Sequence, residues 1–195
     1  MSINIQTLIT IFWFIFIAYW ILSSMNIKKD VVPARGSAFR RGMYARLAVL
    51  VLLILLLSQP SVRQYLSQSQ ILNARQGQAT AIIGAIICAF GIGLAIWARR
   101  HLGRNWSPHP AEKENHELIT SGPYGKLRHP IYTGILLAAI GSSLAGGIFW
   151  PILTIAILII LVRRIKTEEN IMQRLFPDKY PQYKKRTYAL FPFIY

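Results

Sequence analysis

Acidic residues and cysteine are scarce in this chain. Its 195 residues include 7 aspartates and glutamates against 22 lysines and arginines, and there is one cysteine. A single cysteine excludes an intramolecular disulfide and a cysteine-based metal cluster, so we interpret Cys88, which lies in an apolar stretch, as a small buried apolar residue. Charge is absent from residues 5–22, 79–98 and 131–162. These long uncharged runs exclude an ordinary soluble domain and indicate an integral membrane protein.

The formal net charge of +15 fits this class. Basic loops of membrane proteins gather at the anionic cytoplasmic surface, so we expect membrane lipid, and no nucleic acid, as the partner of these charges. Apart from Arg63 and Arg75, all lysines and arginines fall in loops that a five-span topology places on one side. The positive-inside rule then predicts an N-terminus outside and a C-terminus in the cytoplasm. Because all acids also lie on the cytoplasmic side, a polar site is expected at that face.

The first three apolar runs predict three membrane spans. No basic residue precedes the run 5–22, whose first lysines follow it, so we expect a retained transmembrane helix and no signal peptide. The run 47–57 is short and predicts a second span, and 79–98 predicts a third. Within the third span, small residues recur at every fourth position and predict a face that a neighbouring helix approaches closely. They are Ala81, Ala85, Ala89 and Gly93.

The last uncharged run is too long for one span. Residues 131–162 would extend about 48 Å as a straight helix, against a hydrocarbon core of about 30 Å. Gly146, Gly147 and Pro151 offer a turn, so we predict a helical hairpin. The expected fold is an all-α integral membrane protein with about five transmembrane helices and a short C-terminal interfacial helix. It forms one domain over residues 1–195, with three spans in 1–100 and a second half from 101 to 195.

A polar cluster precedes the hairpin, in LITSGPYGKLRHPIYTG at residues 118–134. Pro130 directly follows His129, which predicts a helix that begins at the proline. The amides of Ile131, Tyr132 and Thr133 would then face outward from a helix start and favour an anion. The alternative is an aromatic and basic belt at the membrane interface without a ligand. This stretch alone leaves both interpretations open.

A second polar cluster, RRIKTEEN at residues 163–170, follows the hairpin. Arg164 and Glu168 are four residues apart and share a helix face. Carboxylates close to lipid are costly unless they are paired or functional. The alternative is an interfacial helix stabilised by Arg–Glu pairs, although arginine before glutamate is the less favourable order.

The two clusters together, with the C-terminal LFPDKYPQYKKRTYALFPFI, resemble the isoprenylcysteine carboxyl methyltransferases and the related phospholipid methyltransferases over residues 106–194. The resemblance implies a membrane methyltransferase that uses S-adenosylmethionine and releases S-adenosylhomocysteine. It implies methyl esterification of the carboxylate of an isoprenylated cysteine, a lipophilic acceptor, with residues 101–195 as the catalytic half. Oligomeric state cannot be read from the sequence.

The resemblance also implies a set of site residues. Arg164 and Glu168 are the implied catalytic pair, in which Arg164 binds the substrate and Glu168 completes the cofactor pocket; Glu169 is the neighbouring alternative. The remaining implied cofactor residues are His109, His116, Glu117, Leu118, Ile119, Tyr124, His129, Pro130, Ile131 and Tyr132.

Three other functions are considered. A phospholipid amine N-methyltransferase would need a base, for which Glu168 or His129 are the candidates. Sterol-type reductases that use NADPH have a similar motif before a helix, but they have a longer membrane domain. A non-catalytic scaffold is disfavoured because Arg164, Glu168 and His129 are all present. No metal site is expected, because the spacing of the histidines fits no common ligand pattern.

Overall fold

The computed structural model describes residues 4–24, 77–107, 117–146 and 149–192. Two short 3₁₀ helices precede the hairpin, and in the described part of the chain the only extended pairing is an isolated parallel bridge between Leu127 and Tyr188. The described residues are therefore helical in class, as predicted. Their five α-helices are α1 (Ile5–Ser23), α2 (Gln78–Leu102), α3 (Pro130–Ala145), α4 (Phe149–Leu175) and α5 (Lys179–Arg186).

Two of these helices are long and apolar enough to cross a membrane, and they match the first and third predicted spans. The predicted second span, 47–57, and the basic loop before it lie outside the described residues, so the count of five spans stays a prediction. Large apolar side chains face outward on α1, α2 and α4, as expected for helices in contact with lipid. They include Phe14, Ile15, Ile21, Leu22, Ile82, Ile83, Ile86, Phe90, Ile152, Ile155, Ile159 and Ile160.

The helical hairpin is confirmed. α3 ends at Ala145, and α4 begins at Phe149. α3 starts at Pro130 with His129 as its N-cap, so the predicted helix start is correct to the residue. α4 is apolar as far as Val162 and then continues as a polar helix, which carries Glu168 and Glu169 beyond the apolar part of the hairpin. The site described below is built at this polar end.

α2 and α3 touch backbone to backbone through glycines spaced seven apart. A Cβ built on Gly91 would lie 2.5 Å from the carbonyl oxygen of Gly134, and one built on Gly141 would lie 2.4 Å from the carbonyl oxygen of Gly84. This close seam is the small-residue packing that membrane helices use. The predicted face does not extend to Gly93 in the contact of α2 with α3, because no described residue beyond its own turn of α2 lies within 4 Å of its built Cβ. Residues four apart advance about 40° around a helix at each step, so a four-residue stripe turns away from its partner, whereas a seven-residue repeat drifts by only about 20°.

α1 packs against α3 and the start of α4 through polar and aromatic contacts. Trp13 stacks on Trp150 with ring centroids 5.9 Å apart, and its Nε1 donates to Ser142 Oγ at 3.0 Å. The Ser142 hydroxyl also lies 3.6 Å from Cys88 Sγ, and Cys88 is fully buried. Cys88 is therefore a buried packing residue, as its apolar surroundings predict.

Candidate functional site

The C-terminal segment is bonded to the turn that precedes α3. The amide of Arg128 donates to the carbonyl of Tyr188 at 2.8 Å, and the amide of His129 donates to the carbonyl of Ala189 at 3.1 Å. The hydroxyl of Thr133, in the first turn of α3, donates to the carbonyl of Leu190 at 2.6 Å. The segment 188–190 is thus held against the N-terminus of α3.

Two tyrosines of α5 form part of the wall of the site. Tyr180 and Tyr183 lie three residues apart on the buried face of this helix. The Tyr183 hydroxyl donates to the carbonyl of Tyr124 at 2.7 Å, which ties α5 to the 3₁₀ helix Gly122–Gly125. Burial raises the pKa of Tyr183 to about 12, so its hydroxyl keeps the proton that this bond requires.

Glu168 is the centre of the polar cluster at the end of α4. Its Oε1 accepts from the Tyr132 hydroxyl at 2.5 Å and from Arg164 Nε at 2.9 Å, and its Oε2 lies 3.5 Å from His129 Nδ1. Burial opposes ionisation of this carboxyl, but these donors outweigh it and the pKa of Glu168 is lowered. Glu168 is therefore a carboxylate at neutral pH.

Glu169 faces a second set of basic groups. Its Oε1 accepts from Arg128 Nε at 2.7 Å, and its Oε2 accepts from Lys184 Nζ at 2.6 Å. His129 Nε2 lies 3.6 Å from the same Oε1. Despite burial, which raises it, the pKa of Glu169 lies well below its ordinary value because these cations and hydrogen bonds favour the carboxylate.

His129 therefore lies between two carboxylates, one beside each ring nitrogen. Burial disfavours the charged imidazolium, but the contacts with Glu168 and Glu169 prevail and raise the pKa of His129 above its ordinary 6.5. The imidazole ring also stacks on Tyr132, with centroids 5.5 Å apart and planes 3° apart. The arrangement places His129 in the wall of the site, between two carboxylates that favour its charged form.

A cavity opens in front of Glu168, between the segment 117–119, the start of α3, the end of α4 and α5. Among the implied cofactor residues, eight line it: Glu117, Leu118, Ile119, Tyr124, His129, Ile131, Tyr132 and Glu168. Pro130 is buried at the start of α3 and does not line it. Arg164 lies beside it, bonded to Glu168 and, through Nη2, to the carbonyl of Ser107 at 3.2 Å. His109 and His116 lie outside the described residues.

The cavity also has lining residues that the sequence did not single out as ligands. Met172 lies four residues after Glu168, and helical spacing predicts it on the same face, although not as a ligand. Tyr180 and Tyr183 had a comparable signal in their three-residue spacing, but no local pattern shows which surface α5 covers. The remaining members are Leu102, Asn105, Trp106, Ser107 and Arg128.

The anion site predicted at the start of α3 relied on three free backbone amides, and two of the three are not free. The amides of Tyr132 and Thr133 both donate to the carbonyl of His129, at 3.0 and 3.1 Å. The belt interpretation also fails here, because Arg128 and His129 are turned inward onto carboxylates. The polar contacts that a ligand can make here therefore come mainly from side chains. Among the described residues, no group of three His, Cys, Asp or Glu side chains has the arrangement of a metal site.

These features define a class: a helical membrane protein with a buried, charged cavity at the polar end of an apolar hairpin. Residues 79–179 match the family model for phospholipid methyltransferases. The chain belongs to the phospholipid methyltransferase family, and the resemblance seen in its two polar clusters is confirmed.

Two individual proteins of known name are similar to this chain. A protein-S-isoprenylcysteine O-methyltransferase of Schizosaccharomyces pombe is 34% identical over 96 residues, which are 47% of this chain and 41% of the relative. The cobalt-zinc-cadmium resistance protein CzcN of Cupriavidus metallidurans is 36% identical over 97 residues, 47% of this chain and 43% of the relative. The chain thus covers less than half the length of either.

A solved structure agrees with these matches. The eukaryotic intramembrane Ras methyltransferase, an isoprenylcysteine carboxyl methyltransferase, is similar with a TM-score of 0.54 and 28% identity. The match covers 60% of this chain and 43% of that one.

Proposed function

We propose that this protein is an S-adenosylmethionine-dependent methyltransferase that acts on a lipophilic acceptor at the membrane. The observation that carries the proposal is the cavity in front of Glu168, which lies at the polar end of the apolar hairpin and is lined by residues from both polar clusters of the sequence. A lipid acceptor can reach such a position from the bilayer, and a soluble cofactor can reach it from water. With the positive-inside pattern, we place this face in the cytoplasm and the N-terminus outside, in a chain of about five spans.

The residues present fit a cofactor of this chemistry. Asn105 Oδ1 and Ser107 Oγ are buried without a hydrogen-bond partner among the described residues, and both side chains belong to the cavity wall. Buried polar atoms normally have partners, so these two favour a polar ligand in the cavity. The Glu168 carboxylate suits the positive charge of a sulfonium cofactor, and the aromatic rings of Tyr124 and Tyr132 suit its planar and apolar parts.

In this proposal the cofactor contacts Leu118, Ile119, Tyr124, Tyr132 and Glu168, with the other motif residues around them. S-adenosylmethionine supplies an electrophilic methyl group on a positively charged sulfur. The chain supplies mainly position, because a methyl transfer of this kind depends on holding the nucleophile in line and at close distance. Arg164 is fixed by Glu168 and by the Ser107 carbonyl, and we assign to its guanidinium the orientation of the acceptor carboxylate.

The protonation of the site favours a carboxylate acceptor over an amine. A protonated amine must lose a proton before it can attack, and the enzyme must supply a base. The contacts with Glu168 and Glu169 raise the pKa of His129 and so favour its protonated form, which cannot take up a proton, and the lowered pKa of Glu168 makes it a weak base. A carboxylate needs no base. We therefore propose methyl esterification of an isoprenylated cysteine as the reaction, ahead of phospholipid amine methylation and of NADPH-dependent reduction.

The acceptor is tested by transfer of a labelled methyl group in detergent or nanodiscs. N-acetyl-S-farnesylcysteine is expected to become labelled from methyl-labelled S-adenosylmethionine, and the label should be released by mild base, as a methyl ester requires. The matched control is the same compound with its carboxylate converted to an amide, which is expected to stay unlabelled. Labelling of phosphatidylethanolamine in place of the farnesylcysteine would contradict the carboxylate assignment and support the amine.

A further inference from the structure

The two neighbouring glutamates of α4 face different surroundings. Glu168 lines the cavity, whereas the carboxylate of Glu169 contacts three basic side chains, those of Arg128, His129 and Lys184. The side chain of Glu169 is only 12% exposed, so its charge depends on these partners. Two of the partners, Arg128 and His129, come from the turn before α3, and the third, Lys184, comes from α5.

The Glu169–Arg128 pair extends to the C-terminal end of α5. The Arg128 guanidinium, which Glu169 holds through Nε, also donates through Nη1 to the carbonyl of Lys184 at 3.2 Å and to that of Thr187. Glu169 thus reaches α5 twice, directly through the Lys184 ammonium and indirectly through Arg128. Both contacts act on the last turn of the helix and on the segment that follows it.

α5 needs such contacts because it is not stable by itself. It has eight residues, far fewer than an isolated helix requires in water, and its N-cap residue Asp178 makes no side-chain capping bond. Its position must therefore come from tertiary contacts. Among the described residues, these are the burial of Tyr180 and Tyr183, the bond from the Tyr183 hydroxyl to the Tyr124 carbonyl, and the ionic contacts centred on Glu169.

We propose that Glu169 is a positioning residue that holds α5 against the cavity through Lys184 and Arg128. Tyr180 and Tyr183 are thereby kept in the cavity wall, and the neighbouring Glu168 alone faces the ligand. The inference rests on the proposed function for what the cavity binds. It assigns separate tasks to two adjacent glutamates that the sequence does not distinguish.

The contact with α5 is tested without any ligand, by amide hydrogen exchange of the protein in detergent. In Glu169→Gln, we expect exchange across residues 180–190 to become about tenfold faster, as the loss of a buried charged hydrogen bond allows. In Lys184→Gln, whose side chain is 47% exposed, we expect a smaller rise of about two- to fivefold. Lys185→Gln is the matched control, because Lys185 is the exposed neighbour of Lys184 on the same helix. Its exchange should equal that of the unaltered protein. Unchanged exchange in Glu169→Gln would overturn the proposal.

Kinetics then separate a positioning role from a chemical one. Glu169→Gln is expected to raise the KM for S-adenosylmethionine about tenfold, and Lys184→Gln about two- to fivefold, while kcat changes little because Glu168 and Arg164 stay in place. Lys184→Arg, which keeps the charge, should restore the KM. The double variant should be no worse than Glu169→Gln alone, because both changes remove the same contact. A lower kcat with an unchanged KM would contradict the positioning role. If the unaltered protein transfers no methyl group, the proposed function fails, while the exchange result still decides whether Glu169 holds α5.

Discussion

Arg164→Ala and Glu168→Ala are each expected to lower kcat/KM for methyl transfer by about a hundredfold or more, the loss typical for removing a charged group that acts in the transition state. Arg164 loses its proposed contact with the acceptor carboxylate, and the acceptor is then poorly positioned. Loss of Glu168 removes the acceptor of the bonds from Tyr132 and Arg164, so both donors lose their fixed positions.

The measurement compares initial rates of labelled methyl transfer for each variant with those of Arg163→Ala. Arg163 is the exposed neighbour of Arg164 on α4, so it controls for the loss of one positive charge at the same depth. This control should keep most of its activity. Equal activity in Arg164→Ala, Glu168→Ala and Arg163→Ala would remove both residues from the proposed mechanism, provided that all three variants melt close to the unaltered protein.

Gly141→Ala is expected to destabilise the fold by about 3 kcal/mol, because overpacking at a rigid contact costs this much. The new methyl group would lie 2.4 Å from the amide nitrogen of Cys88 and from the carbonyl oxygen of Gly84. Both are backbone atoms of α2, which cannot move aside as a side chain can. For a chain of this length the change corresponds to a fall of about 6–12 °C in Tm.

Gly93→Ala on α2 is the matched control for this prediction. It adds the same methyl group to α2 at a position where, among the described residues outside its own helical turn, no atom lies within 4 Å of the built Cβ. Its higher helix propensity should leave the protein as stable as before or stabilise it by up to about 1 kcal/mol. Both variants are melted in the same detergent with tryptophan fluorescence as the probe. If Gly141→Ala has the same Tm as Gly93→Ala, the backbones of α2 and α3 are not in close contact at Gly141.

Local patterns in the sequence were sufficient to predict the hairpin helices that carry the site. The absence of charge from residues 131–162, with glycines in the middle, predicts the hairpin because hydrocarbon thickness limits the length of a span. The His129–Pro130 pair predicts the start of α3, since proline fits only the first turn of a helix. The four-residue spacing of Arg164 and Glu168 places both on one face, where their side chains are in fact bonded.

Contacts between distant segments could not be predicted in this way. Nothing local in the sequence indicates that Ala189 bonds to the turn before α3, or that Tyr183 reaches the carbonyl of Tyr124. The same limit applies to the contact of α2 with α3. α2 contains small residues both at every fourth position and at every seventh position, and the sequence alone does not show which of the two patterns faces α3. His109 and His116, which depend on the family resemblance, stay predictions because they lie outside the described residues.

The cavity in front of Glu168 is proposed to bind S-adenosylmethionine. The most direct test is a thermal titration of the protein in detergent with S-adenosylmethionine, S-adenosylhomocysteine and NADPH in parallel. A ligand that binds only the folded protein stabilises it by about 2.7 kcal/mol at a hundredfold excess over its Kd, so Tm must rise with its concentration. We expect both adenosyl compounds to raise Tm and NADPH to leave it unchanged. A rise with NADPH alone, or no rise with either adenosyl compound, would contradict the claim.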